Sequence, residues 1–467
     1  MKTFNEFERA NNSEENRIKF IRDAIADHTS SADYRIALDA VEYEAQRNVT
    51  ITRYKKLMYK LSGEAVENRF SANRKCASNF FNRFVTQEVS YLLGNGVQFE
   101  EESTKEALGR DFDARLYDAG KTALVQKVAF GFYNKDHVVV FGLTEFVPLY
   151  DEEYGVLKAG IRFWRLHKNS PLRVTVYEID GYTEYKETDG NTPELRVWKE
   201  KRPYVLKTAT TAIDGEVVMS GRNYPTFPIV PLWGNRQHQS ELVGMQESID
   251  CYDLIKSGFA SDLEEAASLY WVVKNAGGFE DDTDLVQFLE RLKLVRGAVV
   301  TGEDVSVTAH SVEIPYESRE VYLTRLANDM YNDFMAVNPA PISAGNITAT
   351  QIMAAYEPLN NKADEFEYCV IDFIHGILAV AGINDEPTFK RSPITNQLEQ
   401  TEMIMMAADH LDEETLIRSL PFLTPDQADV VIERRIAEEG GLNRRGINTL
   451  GGEETPENNA VEPDAGI

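Results

Sequence analysis

The side chains that could do covalent or metal chemistry are few in this chain and poorly spaced for it. Seven histidines, His28, His137, His167, His238, His310, His375 and His410, include no pair at the helical spacing that would let both grip one ion. The three cysteines, Cys76, Cys251 and Cys369, are far apart and odd in number. They predict neither a zinc site nor a disulfide framework, and they suit a reducing compartment. "GNGVQF" (94–99) hints at a phosphate-cradling loop, but it follows a helical pattern and lacks a third glycine, so it reads as a helix end. "EDDTD" (280–284) has calcium-loop carboxylates without the glycine at the sixth position or the glutamate at the twelfth, and reads as a helix start. There is no Gly-x-x-x-x-Gly-Lys loop, no His-Glu-x-x-His, no Cys-x-x-Cys and no Gly-x-Ser-x-Gly. The expectation is a protein with no catalytic residue, no metal and no cofactor.

What remains is electrostatics. The net charge is −27 and the isoelectric point about 4.8. That argues against a protein built to grip nucleic acid, which neutralises phosphates with Lys and Arg. It does not exclude one that DNA passes without sticking, and solubility alone is the plainer reason for acidity. The acidic side chains concentrate on two long helical patterns flanking "NPAPISAGNITATQ" (338–351), which has two prolines, a glycine and no charge. No Lys or Arg lies between Arg325 and Lys362.

Those patterns define the elements that must position the charge. From His238 to Tyr270, Leu242, Met245, Ile249, Tyr252, Ile255, Phe259, Leu263, Ala266 and Tyr270 recur every three or four residues. That predicts a helix of roughly 33 residues, or about 50 Å. Its other faces carry Glu241, Glu247, Asp250, Asp253, Asp262, Glu264 and Glu265 against Lys256. A solvated surface would explain those acids equally well. A second helix is predicted from Tyr316 to Val337, with Leu323, Leu326, Met330 and Phe334 on its stripe and Glu317, Glu320, Asp329 and Asp333 elsewhere. Between them, 271–315 reads as strand, helix, strand, strand. Two such helices enclosing a small insert form a projecting hairpin. One narrow stripe on so long a helix is best buried by side-by-side copies, and heterologous contacts repeated about an axis close into a ring.

The rest of the chain divides by composition. Residues 1–62 are charged and helical in pattern, and Phe80, Phe84, Val85, Val89 and Leu92 mark an amphipathic helix ended by Gly94 and Gly96. Residues 128–232 hold short β-branched runs between turn formers and predict a mainly antiparallel sheet region. "YPTFPIVPLWGN" closes it at an edge or exit, because proline cannot serve a central strand. A helix over 352–383 should kink at Pro358, and short helices fill 384–439, starting at Asp412 and at Thr424–Pro425. The Gly-, Asn-, Glu- and Pro-rich tail 440–467 reads as disordered. The N-terminus lacks the apolar run of a secretory signal and "FIHGILAVAGI" (373–383) is too short to span a bilayer, so a cytosolic setting with no membrane partner is expected.

In this order the parts resemble the portal (head-to-tail connector) proteins of tailed bacteriophages, in the branch typical of long-tailed phages of Gram-positive hosts. The resemblance is carried by "SNFFNRFVTQEVSYLLGNGVQF", "VPLYDEEYGVLKAGIRFWRL", "VTVYEIDGYTEYK", "YPTFPIVPLWGN", "SELVGMQESIDCYDLIKSGFASDLEE", "SAGNITATQIMAAYEPLNNKADEFE" and "FKRSPITNQLEQTEMI…LDEETLIRSLPFL". It implies an α+β, mostly helical portal fold. A β-rich wing covers 1–237, stem helices 238–270 and 316–337, and a small α/β clip 271–315 with Trp271, Phe288, Arg291 and Lys293. A tunnel loop covers 338–351, a kinked wing helix 352–383, a helical crown 384–439 and a tail 440–467. It further implies a dodecameric ring at one capsid vertex of the virion, assembled in the host cytoplasm, through which double-stranded DNA passes without tight binding. The implied protein partners are the terminase large subunit, a head-completion adaptor, and the major capsid and scaffold proteins. On that reading Glu247, Asp250, Asp253, Glu264, Glu265, Asp329 and Asp333 form the acidic face of the stem. Pro339, Pro341, Ser343, Gly345, Asn346, Thr348, Thr350 and Gln351 form the loop beside the DNA, with the two prolines stiffening its start. The alternatives are another virion ring or assembly component, such as an adaptor or tail protein, and an enzyme associated with packaging.

Overall fold

The computed structural model describes residues 2–59, 64–68, 71–189, 193–211, 217–266, 270–274, 306–310, 316–343 and 349–391, and, further on, 404–406, 408, 412–420, 423 and 427–435. The chain divides into two compact units, Met1–Pro341 with Ala355–Ser392, and Ile342–Ala354 with Pro393–Ile467.

The first unit opens with α1 (Phe4–Ala10), α2 (Glu14–Ser30), α3 (Ala32–Glu44) and α4 (Val49–Arg53). The side chains of Thr3, Ser13, Ser31 and Asn48 each accept a hydrogen bond from a first-turn backbone N–H, which is why the charged stretch breaks into four pieces at those residues. A small hairpin follows, β1 (Leu57–Tyr59) with β2 (Ala65–Glu67). Then come α5 (Phe80–Leu93), β3 (Val97–Gln98), α6 (Glu102–Leu108) and α7 (Phe112–Gln126).

The sheet region is antiparallel throughout its described pairings. β4 (Val128–Tyr133) and β5 (Val138–Gly142) lead to the meander β6 (Phe146–Tyr150), β7 (Leu157–Trp164), β8 (Arg173–Glu178), β9 (Gly181–Glu187) and β10 (Leu195–Arg202). β11 (Val205–Thr211) and β12 (Val217–Arg222) form a hairpin, and β13 (Ile229–Trp233) pairs with β4. In the order β13-β4-β5, Pro231 sits on an edge strand, where its missing N–H breaks no second ladder. α2 lays Phe20, Ile21 and Ala24 on the meander, against Val147, Ala159 and Val174.

The chain continues through α8 (Gln246–Ala266), the antiparallel pair β14 (Tyr270–Lys274) and β15 (Ser306–His310), α9 (Tyr316–Asp333), α10 (Pro339–Ser343), α11 (Ala349–Ala381) and β16 (Thr388–Phe389). The largest core joins α5, α7, α11 and the near ends of α8 and α9. α11 comes close to the β13-β4-β5 sheet at two glycines. A Cβ on Gly131 would lie 2.5 Å from the Phe373 ring, and one on Gly376 would lie 2.5 Å from Val230.

Several expectations change here. The first long helix begins at Gln246 rather than His238, because Gly244 takes φ +87°, which ends any helix, and residues 241–245 form turns instead. It stops at Ala266, and Tyr270 belongs to β14. The second stops at Asp333, since Met335 takes φ +59°. Within 338–351, Pro339–Ser343 is a short helix and Thr350 and Gln351 open α11, so the stretch is not one loop. Gly345, Asn346 and Thr348 lie outside the described residues. α11 contains Pro358. Of the insert, the helical stretch, the "GAVV" strand and with them Phe288, Arg291 and Lys293 also lie outside. In the second unit, α12 (Glu413–Ser419) starts on Asp412, whose carboxylate accepts from the Thr415 N–H at 2.9 Å. Residues 427–435 are helical. The start at Thr424–Pro425 and the tail 440–467 lie outside the described residues.

Candidate functional site

α8 and α9 run antiparallel as the legs of a hairpin. Arg319 Nη1 meets Asp262 Oδ2 at 2.5 Å toward the β14–β15 end, while Tyr252 and Tyr331 both pack edge-on against Phe80 at the other. Where the legs meet the core, one ammonium organises them. Lys362, on α11, places Nζ 2.7 Å from Glu241 Oε2, in the turn leading into α8. The same Nζ lies 3.2 Å from the centroid of Phe334 and 3.4 Å from its carbonyl oxygen, immediately after α9. It also stands 3.0 Å from Glu88 Oε2 on α5, close enough for an ion pair but out of line for a good hydrogen bond. Both legs are therefore tied to α5 and α11 through a single side chain.

The electrostatics follow from burial. Glu88 is 1% exposed. Burial pushes its carboxyl up to about 8, Lys362 works against that rise, and Glu241 and Glu365 add to it. For Lys362 burial opposes the charge, yet Glu88 and Glu241 together outweigh it and hold the ammonium above the usual lysine range. A solvent-open cavity of about 500 Å³ runs past Glu88, Glu241, Lys362, Asp333 and Glu365.

A second tie grips the length of α8. The backbone N–H groups of Arg74, Cys76 and Ser78 donate to Ser261 Oγ (3.0 Å), Ser257 Oγ (3.0 Å) and Asp253 Oδ1 (2.8 Å). Every second residue of an extended segment advances about 6.6 Å. Every fourth residue of a helix advances about 6.0 Å, so the two rows stay in step. Asn48 Nδ2 donates to both Asp250 Oδ1 (2.9 Å) and Asp253 Oδ2 (2.8 Å), and the Tyr43 hydroxyl donates to Asp250. Burial lifts the Asp253 carboxyl above its ordinary range, with the bonds from Asn48 and Ser78 opposing.

This revises the expected acidic face. Asp250 and Asp253 are engaged by α3, α4 and the 74–78 segment, and Asp253 is fully buried. Glu264 is exposed and pairs with Arg74, and Asp329 is exposed and pairs with Arg325. Glu247 and Asp333 are exposed. The side chain of Glu265 lies outside the described residues. Of the expected apolar stripe, the buried members among the described residues are Leu242 and Met245, in the turns before α8, and Ile249 on it, while Leu263 is 54% exposed. On α9 only Met330 and Tyr331 are buried. Trp271 pairs with Ala309 across β14–β15, and Pro339, Pro341 and Ser343 share α10. Of the expected site residues, Asp333 lines the cavity beside Lys362.

The cluster itself was not among the expected site residues, though the sequence carried a signal. Glu88 interrupts the apolar row Phe84, Val85, Val89, Leu92, and Lys362 interrupts Leu359, Ala363, Phe366, Val370. Opposite charges on two otherwise apolar stripes point to a buried pair. Among the described residues, no group of three or more His, Cys, Asp or Glu is placed to hold a metal ion, and no helix is long and apolar enough to cross a membrane.

Residues 41–440 match the family described as phage portal protein, SPP1 Gp6-like. The portal protein of Clostridium phage phiCD119 is 22% identical over 417 residues, covering 82% of this chain and 91% of that one. The portal protein of Bacillus phage SPP1 is 22% identical over 464 residues, covering 92% of this chain and 89% of that one. Among solved structures, a chain from the neck of an empty gene transfer agent particle is similar with a TM-score of 0.41 and 10% identity, covering 76% of this chain and 90% of that chain. With a match that runs over most of its length, the chain belongs to the phage portal protein family.

Proposed function

We propose that copies of this chain close into a ring of about a dozen subunits at one vertex of a capsid, with an axial channel that double-stranded DNA crosses during packaging and release. The observation that carries this reading is the α8–α9 hairpin. It is anchored at one end on Lys362, while α9 buries only Met330 and Tyr331 of its eighteen residues. A helix so little covered gains its stability from packing, and neighbouring copies are the natural source of it. In this reading α8 and α9 are the stem, the segment from β14 to β15 is the clip, and the C-terminal unit contributes the crown. The clip would dock the terminase motor and later a head-completion adaptor, and the ring would contact the capsid shell and scaffold during assembly in the host. The role is structural, with no chemical step assigned to the chain.

The channel role rests on charge. A conduit should not bind its cargo, because each neutralised phosphate adds affinity that every step must break. Acidic legs repel the backbone, and the uncharged stretch 338–351 can approach it through polar contact. Native mass spectrometry with particle averaging tests the ring: a closed assembly of about a dozen copies with an open axial hole is expected, and a protein that stays monomeric at high concentration contradicts it. Replacing Asn346 and Thr348 with Lys should stall packaging in a reconstituted reaction, and unchanged packaging would remove the loop from the DNA path.

A further inference from the structure

The strongest local departure from the acidity of the chain lies beside α8. Between Arg53 and Lys75 the sequence has seven basic residues and two acidic ones, in a chain of net charge −27. In the structure Arg53, Lys55, Arg74 and Lys75 are exposed on the flank of the hairpin. Lys75 Nζ lies 5.0 Å over the ring of Tyr54, which is itself 46% exposed. Arg74 N bonds to Ser261 and its guanidinium to Glu264, so the patch is fixed against α8 rather than carried on a free arm. On α9, Arg319 turns toward α8 and Asp262, while Glu317, Glu320, Val321 and Asp329 are exposed. Val321 is 69% exposed.

We propose that the Arg53–Lys55–Lys75 patch of one copy docks on the Glu317–Glu320–Val321 face of α9 in the next copy. Three observations select that occupant. The two surfaces have opposite charge and sit on different elements of the chain, the basic one on the end of α4 and the 74–75 segment and the acidic one on α9, so a contact between copies through them is heterologous. Each has an apolar centre within a charged surround, Tyr54 in one and Val321 in the other, as recognition surfaces do. Along α9 only Met330 and Tyr331 are buried. This inference deepens the ring reading and rests on it.

The test uses the full-length protein, with sedimentation velocity and native mass spectrometry at about 0.05 and about 0.5 M salt. The variant Arg53→Glu/Lys55→Glu/Lys75→Glu should raise the concentration needed for assembly by about tenfold or more at low salt. Adding Glu317→Lys and Glu320→Lys to that chain should restore assembly, because each interface again pairs opposite charges. The rescue also separates loss of docking from loss of folding. If the wild type forms rings and the reversal leaves them unchanged, this interface is wrong and the ring stands. A reversal that spares the rings but abolishes binding to duplex DNA overturns the proposal in favour of a nucleic-acid patch. A wild type that never assembles overturns both readings.

Discussion

The two ends of the α8–α9 hairpin handle charge in opposite ways. At the root, Glu88 is buried, Glu241 and Lys362 are nearly so, and each depends on the others. Along the legs, Glu247, Glu317, Glu320 and Asp333 face solvent, and the Arg325–Asp329 pair is open to water. A buried ion has lost its hydration and must be matched by neighbours, so it fixes geometry. An exposed acid keeps its water, contributes little to stability, and remains available to repel or to dock. The root therefore sets where the legs point, and the legs carry the surface that other molecules meet.

The comparison breaks most visibly at Lys362. Lys362→Met should destabilise the protein by about 3–5 kcal/mol in urea unfolding, because the Glu241 carboxylate loses its cation and buried Glu88 loses its polar neighbour. Combining it with Glu241→Gln should recover part of the loss, since neighbours that share one network are not additive. If Lys362→Met proved neutral, the root would not be the anchor that the distances imply. Next in size is Asp253→Ala, which strips the acceptor from Asn48 and from the Ser78 N–H. A loss of about 1–3 kcal/mol is expected.

Proton linkage sharpens the same contrast. Glu88 has a folded value near 8, above its ordinary one. Between those values the folded protein holds a proton that the unfolded chain has released. The stability tied to neutral Glu88 is therefore complete in acid and lost as pH rises through about 8. Glu88→Gln mimics the protonated form, so wild type and variant should melt together near pH 5. Above that the wild type should fall behind by up to about 1.4 kcal/mol per pH unit. Parallel stability curves from pH 5 to 9 would show that Glu88 stays ionised beside Lys362.

Much of this architecture was legible in the residues. Asp412 announces a helix start, the β-branched runs of 128–232 announce antiparallel strands, and Pro231 marks an edge. The two long helices were legible in outline and wrong at their ends, because periodicity cannot register the left-handed backbone at Gly244 and Met335. It also misjudged which face of α8 is inside. Asp253, Ser257 and Ser261 lie at a spacing of four, and they are buried because the extended segment 74–78 supplies three backbone donors. That partner is some 180 residues away in the chain, so no local pattern reveals it. The Lys362 cluster was hidden for the same reason: its members come from α5, α11 and two turns, and only the fold brings them together.

The smallest expected effect bears most directly on the legs. Asp329→Asn removes one acid from an exposed pair whose nitrogen and oxygen stand 3.7 Å apart. In the dissociated chain the change should move stability by no more than about 0.5 kcal/mol. The same substitution in the assembled ring acts on a helix that neighbouring copies would then cover, where hydration is partly gone and each charge counts for more. Measuring Asp329→Asn in both states therefore separates a leg that is merely solvated from one that is part of an interface. An effect that grows on assembly places α9 between subunits. An effect equally small in both leaves Asp329 facing water, a solvated acid outside the interface.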